Sequence, residues 1–354
     1  MAIPEVLHRL LCAHGPSGYE TAPAAVWREA AQAWAATVEV DAMGTSTATV
    51  AGTQEGGLRV AIVGHIDEIG LIVTHVDEKG FAYFAGVGGW DTQILVGQRV
   101  VLASADGPLP GVIGKKPIHL LKDEERKKVA ELKDLHIDFG FATGDEAKGR
   151  VRVGDVAVLA GDPIELPNGR AASKSMDNRL GAFVAFEAAR LVAEQGGAAG
   201  EVIAVAAVQE EIGLYGARAA AYSLHPDVAI VVDVTHATDA PGIDVKEEGE
   251  HPFGSGPVIQ RGSTLHPVVS DLLVAAAVDE GVGHTLAASA GRTGTDADAM
   301  HFTRGGIPTA VVSLPLRYMH SPVEMVQLSD VTDAARVIAA FCRRLGAQED
   351  LTRR

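Results

Sequence analysis

The sequence predicts an α/β protein, a mixed sheet flanked by helices into which a small β-rich, barrel-like domain is inserted. Three observations carry this. From Asp177 onward, helical patterns alternate with apolar runs of strand length, the signature of a helix-covered sheet. The run Leu58–Gly64 is apolar enough to be buried on both faces, as a central parallel strand is. Between residues 69 and 165 the texture changes to short strands punctuated by turn residues. The expected organisation is therefore residues 1–68 and 166–354 as one unit and 69–165 as the insertion. With 354 residues at 47% hydrophobic content, the chain can bury a full-sized core and form two domains.

The elements follow in order. Pro4 to Ala36 reads as two helices, with Pro4 suited to a first turn and Gly15-Pro16-Ser17-Gly18 as the break. Two strands surround the turn Gln54-Glu55-Gly56-Gly57, and His65 stands at the end of the second. In the insertion, turns are expected at Asp77–Gly80, Gly88-Gly89 and Ala105–Gly107, with one short charged helix near Glu124 to Leu132. Beyond it come a helix at 177–195, a strand at 201–209, a helix at 213–223 and a strand at 227–234. Helices near 266–280, 297–304 and 328–345 and a strand at 307–314 complete the pattern, with 196–200 a loop.

Composition excludes several classes. A formal net charge of −16 opposes phosphate backbones and anionic membrane surfaces, so neither nucleic acid nor a membrane is an expected partner. Cys12 and Cys342 lie in helical patterns near opposite ends, which supports neither a disulfide framework nor a cysteine metal cluster and fits a reducing cytoplasm. Glu5, His8 and Arg9 interrupt the N-terminal pattern at helical spacing, against a signal peptide. No run approaches the roughly 18 uninterrupted apolar residues of a membrane span.

The chemistry-bearing residues gather at strand ends, where open α/β sheets place their functional groups. In His65-Ile66-Asp67, extended alternation puts His65 and Asp67 on one side, so that Asp67 can take the ring N–H of His65. Asp177 precedes an apolar-periodic helix and reads equally as an N-cap or a metal ligand. Glu210 and Glu211 close the strand Val202–Val208, and adjacent acids there are costly unless cations lie close. One of the pair can bind metal while the other serves as base. Asp233 ends the apolar run Val228–Val232, which does not carry a carboxylate without compensation, and His236 nearby is ambiguous as a ligand. His320 follows the last buried strand, with Pro322 stiffening the chain behind it. Most of the 13 histidines are bystanders. Taken together, two His and three carboxylates with a further acid beside them match a dinuclear hydrolase site.

Seven ordered motifs then carry a resemblance over nearly the whole chain. They are Gly15–Glu20, Gly64–Gly70, Val112–Leu120, Met176–Arg179, Gln209–Gly213, Gly294–Ala297 and Arg317–Pro322. With them the chain resembles the tetrahedral (TET-type) metalloaminopeptidases, the glutamyl aminopeptidase family whose members are sometimes labelled endoglucanase-like. The resemblance implies a zinc-peptidase-like catalytic domain, an inserted dimerisation domain, and two divalent ions per subunit, zinc or cobalt. It implies that Asp177 bridges the ions, that His65 and Asp233 complete one site and Glu211 and His320 the other, that Glu210 is general base and acid, and that Asp67 orients His65. It also implies short peptides as substrates and dimers that assemble into a tetrahedral dodecamer. Family members often carry Ala at the place of Gly64, a second Asp at that of Asn178 and Arg at that of Tyr215. The expected function is thus a cytoplasmic aminopeptidase, the alternative being a related amidohydrolase, a deacylase or carboxypeptidase of similar fold. The insertion is expected to have little part in metal binding.

Overall fold

The strand Val60–His65 is buried at every residue and sits at the middle of the sheet. It pairs in parallel with Val202–Ala207 on one side and Val228–His236 on the other, and the latter pairs in parallel with Thr309–Arg317. Parallel strands are covered on both faces, which is why their sequences are continuous apolar runs rather than alternating ones. The computed structural model describes residues 1–104, 106–347 and 349–353, so Ala105 of the expected turn lies outside the described residues. Among them the sheet has eleven strands. Beyond Val202–Ala207 it continues with the antiparallel Ser46–Val50 and Thr37–Val40. Beyond Thr309–Arg317 it continues with Glu324–Gln327, Arg170–Ser173 and Ile164–Leu166, again antiparallel. Val258–Gly262 and Thr285–Ser289 branch from Thr309–Arg317.

Helices Glu5–Cys12, Thr21–Ala31, Met176–Glu194, Pro267–Asp279 and Leu328–Arg344 enclose the larger core on one face, with Trp27, Phe183, Phe186 and Phe341 inside it. Met176–Glu194 lies unusually close to the central strand because glycines meet there: a β-carbon on Gly64 would overlap the Gly181 carbonyl carbon. The other face is covered by Tyr215–Leu224 and the single turn Ala297–Met300, whose small side chains Ala217, Ala220 and Ala221 pack on Val63, Val205 and Val311. No helix among the described residues is long and apolar enough to cross a membrane.

The inserted segment closes on itself. Gly70–Val76, Phe81–Val87, His136–Asp138, Gly107–Gly114, Arg99–Ser104 and Val156–Leu159 form, in that spatial order, a closed six-stranded barrel around Leu71, Val73, Phe84, Val100, Leu102 and Ile137. The charged helix expected near 124–132 is only one turn, Asp123–Arg126, followed by a 3-10 turn at Leu132–Asp134. Neither buries a residue, and a short helix without an apolar face to dock does not propagate.

Candidate metal centre

The four parallel strands end along one edge of the sheet, and each delivers a site residue there. Glu210 and Glu211 follow Val202–Ala207, His65 closes Val60–His65, Asp233 lies on Val228–His236, and His320 follows Thr309–Arg317. Asp177 comes from the facing helix. Its two oxygens point to different histidines: Oδ1 is 3.2 Å from His65 Nε2, and Oδ2 is 3.4 Å from His320 Nε2. His320 Nε2 is also 3.3 Å from Glu211 Oε1, and His65 Nε2 is 3.9 Å from Glu210 Oε2. Two triads of ligand atoms result, His65–Asp177–Asp233 and Asp177–Glu211–His320, each with its atoms within 4.8 Å of one another and both including Asp177. A third grouping at the same spacing takes in His65, Glu210 and Glu211. His236 is exposed and belongs to none of them.

Local structure explains each placement. Asp177 is not the helix cap. Asn178 takes that task, its Oδ1 accepting from Gly181 N at 2.8 Å while its Nδ2 donates to Val232 O at 2.8 Å. An Asp at this position could accept but not donate. Asp177 and Asn178 both have non-helical backbone angles, so the Asp177 side chain is released from the helix end toward the histidines. Asp67 Oδ1 lies 3.4 Å from His65 Nδ1, and the same carboxylate accepts from Glu210 N at 3.1 Å, Glu211 N at 3.2 Å and the Ser17 hydroxyl at 2.6 Å. Asp233 sits within its strand rather than at the end, because Val228–His236 runs past the expected limit, yet it is buried beside the histidines. His320 Nδ1 lies 2.9 Å from the Gly89 carbonyl in the loop after the barrel strand Phe81–Val87, which leaves Nε2 facing the acids. The insertion, expected to have little part in metal binding, thus supplies a main-chain contact to one of the candidate ligand histidines.

Residues 44–337 match the sequence profile of the M42 glutamyl aminopeptidases. The chain belongs to this family. It is accordingly a peptide hydrolase, an aminopeptidase of the TET type. The lysyl aminopeptidase of Pyrococcus furiosus is 32% identical over 310 residues, covering 87% of each chain. The TET aminopeptidase of the marine sediment archaeon Thaumarchaeota archaeon SCGC AB-539-E09 superposes with a TM-score of 0.91 at 36% identity over 96% of each chain. The Pyrococcus horikoshii TET1 peptidase does so with a TM-score of 0.84 at 30% identity, over 96% of this chain and 99% of that one.

The electrostatics of this M42 aminopeptidase call for cations. Burial, opposed by His65 and reinforced by Asp233, Asp296 and Glu211, pushes Glu210 up to about 10. Burial likewise raises Glu211 and, with Asp177 beside it, holds Asp233 well above the carboxylate range. His320 is pushed up to about 11 by its bonds to Asp177 and Glu211. For His65 burial works downward, but Glu210, Asp177 and Asp67 outweigh it and hold it well above its ordinary value. The two histidines thus compensate only part of the buried negative charge. Asp296, within the Gly294–Ala297 motif, is 1% exposed with neither oxygen hydrogen-bonded. A mixed imidazole and carboxylate donor set with surplus buried charge fits divalent cations.

Sequence reasoning missed the supports behind the site. Glu68 is buried and accepts from Lys174 Nζ at 2.6 Å, a guanidinium nitrogen of Arg179 at 3.0 Å and Gly15 N at 3.0 Å, with Ser175 Oγ also bonded to it. Glu20 accepts from Gln209 N at 3.0 Å, bracing a residue whose φ of 59° is left-handed. Glu324 accepts from both Asp177 N and His320 N. The one available signal was charge in otherwise buried surroundings, as at Lys174 and Arg179 on either side of Asp177.

Proposed function

We propose that the chain is a dinuclear aminopeptidase that removes N-terminal residues from short peptides, with Glu210 as the proton-transfer group. The observation that carries it is the pair of ligand triads sharing Asp177, whose two oxygens face separate histidines. In this reading His65 and Asp233 complete one site, and Glu211 and His320 the other. Zinc or cobalt suits such N and O donors, and when bound supplies Lewis acidity toward the scissile carbonyl and acidifies water. Glu210 takes the proton of the attacking water and returns it to the leaving amine. Burial and the surrounding acids hold the Glu210 carboxyl well above its usual range, and nearby positive charge would favour its basic form. Asp67 keeps Glu210 and Glu211 in place through their main-chain N–H groups and holds His65 in orientation.

Residues 1–68 and 166–354 form the catalytic unit in this reading, and residues 69–165 the dimerisation unit. Exposed Val112, Ile118, Leu120 and Val129 on the barrel side support a protein contact there, as do the lysines around them on a chain of net charge −16. The Pyrococcus horikoshii TET1 peptidase assembles into a tetrahedron or a large octahedral shell, which supports dimers associating into a dodecamer. Free Cys12 and Cys342 suit a cytoplasmic setting.

Two measurements test the reading. Metal analysis after desalting should find two ions per chain in the wild type and in His236→Ala, and loss of the pair in Asp177→Ala. Short peptides should be cleaved only with a free N-terminus. Turnover of N-acetylated peptides would instead identify an amidohydrolase of another kind, and full occupancy in Asp177→Ala would remove the bridging role.

A further inference from the structure

Glu324 opens the strand Glu324–Gln327, which lies between Arg170–Ser173 and Thr309–Arg317. Those neighbours are the segments that lead into Asp177 and His320. The Glu324 side chain is 2% exposed, and its two oxygens divide between them: Oε2 accepts from Asp177 N at 3.0 Å, and Oε1 accepts from His320 N at 2.8 Å. His320 needs such support. Its φ is 58° and that of Tyr318 is 61°, both left-handed without being glycine, and such conformations persist only where the surroundings impose them. Its side chain is 33% exposed against 2% for His65, so packing holds it least.

We propose that Glu324 is a positioning residue which, by bracketing the main-chain N–H groups of Asp177 and His320, sets how tightly the Asp177–Glu211–His320 triad holds its divalent cation. The proposal rests on the reading that the triads bind cations. A carboxylate can accept both N–H groups at once, whereas an amide of the same shape can accept only one. Shortening the side chain by one methylene keeps the charge but withdraws both oxygens. These two changes separate a bracket from a distant charge.

The test is zinc titration, followed by calorimetry, of chelator-stripped enzyme in the wild type, Glu324→Gln, Glu324→Asp and Asp330→Asn, with circular dichroism to verify folding. Asp330 is the control, a buried carboxylate that also accepts two main-chain N–H groups, those of Gly254 and Gly256, but outside the triads. Both Glu324 substitutions should weaken the ion of the Asp177–Glu211–His320 triad by about 10–100-fold, the usual effect of losing a group that orients metal ligands, and the other ion, which shares only Asp177, by less. Asp330→Asn should bind as the wild type does. In a His320→Ala background the remaining ion, which Glu324 reaches only through Asp177, should lose less to Glu324→Gln than the Asp177–Glu211–His320 ion does in the wild type. Wild-type binding by Glu324→Asp, or equal weakening of both ions, would overturn the bracket in favour of charge alone. A wild type that takes up no zinc would instead sink the metal reading itself.

Discussion

Asp177 can face two histidines because its neighbour does the capping. With Asn178 closing the helix end and bonding to the adjacent strand, the Asp177 carboxylate is free to serve both triads. Glu210 is placed with the same economy, its N–H fixed by Asp67 and its Oε2 3.9 Å from His65 Nε2. Glu210→Gln keeps the shape and the ligands but cannot take a proton from water. The expected outcome is retention of the bound ions with turnover lowered by about 100-fold or more, the usual consequence of losing a general base. Steady-state kinetics with metal analysis on the same preparation checks this. Near wild-type turnover with both ions bound would take the role away from Glu210.

Among the elements, the turn after the central strand, the N-terminal break and the start of the helix Met176–Glu194 are tied together by Glu68. It stands between Lys174 and Arg179, all three buried. Burial would raise Glu68, but the two cations outweigh it and hold it at about 2, against an ordinary 4.5. A carboxylate depressed on folding stabilises fully above its unfolded value, and the contribution fades as pH falls from about 4.5 toward 2. Glu68→Gln leaves two buried cations without their counter-charge and should cost about 3–5 kcal/mol at neutral pH. Urea unfolding at pH 7 and pH 3 reads both effects: the deficit of Glu68→Gln should be large at pH 7 and much smaller at pH 3. A deficit unchanged between the two would show that packing, not the ion cluster, holds these elements.

For the whole molecule, the barrel is in the proposed reading the surface for a second copy, and the inserted segment also meets His320 through the Gly89 carbonyl. If dimers join into a dodecamer, twelve chains of 36.8 kDa form a particle of about 440 kDa. Light scattering coupled to size exclusion should find that mass, or a dimer near one sixth of it when metal is withdrawn. Leu120→Asp places a charge on an exposed apolar residue of the inserted segment and should lower the mass without unfolding the chain. The full particle should cleave short peptides and spare folded proteins. A strictly monomeric, active species at working concentration would refute the role given to the insertion.

The central strands were legible because burial on both faces leaves no polar positions, as in Val60-Ala61-Ile62-Val63 and Val228–Val232. Charged groups at such runs, His65, Glu210, Glu211 and Asp233, therefore stood out without a structure. The short antiparallel strands Arg170–Ser173 and Glu324–Gln327 were not legible, since four residues carry too little periodicity to distinguish a strand from a loop. The same limit hid Glu324, whose partners at Asp177 and His320 are 147 and 4 residues away. Tertiary structure also took the capping role from Asp177, because only the bonds of Asn178 show which residue closes the helix. It brought Gly89 to His320 across 231 residues. Composition and periodicity report how each segment meets solvent and core, and so they disclose the layers and the acids and histidines at their ends. Which main-chain donor meets which carboxylate depends on distances between segments far apart in the chain, and those exist only once the sheet and the barrel have closed.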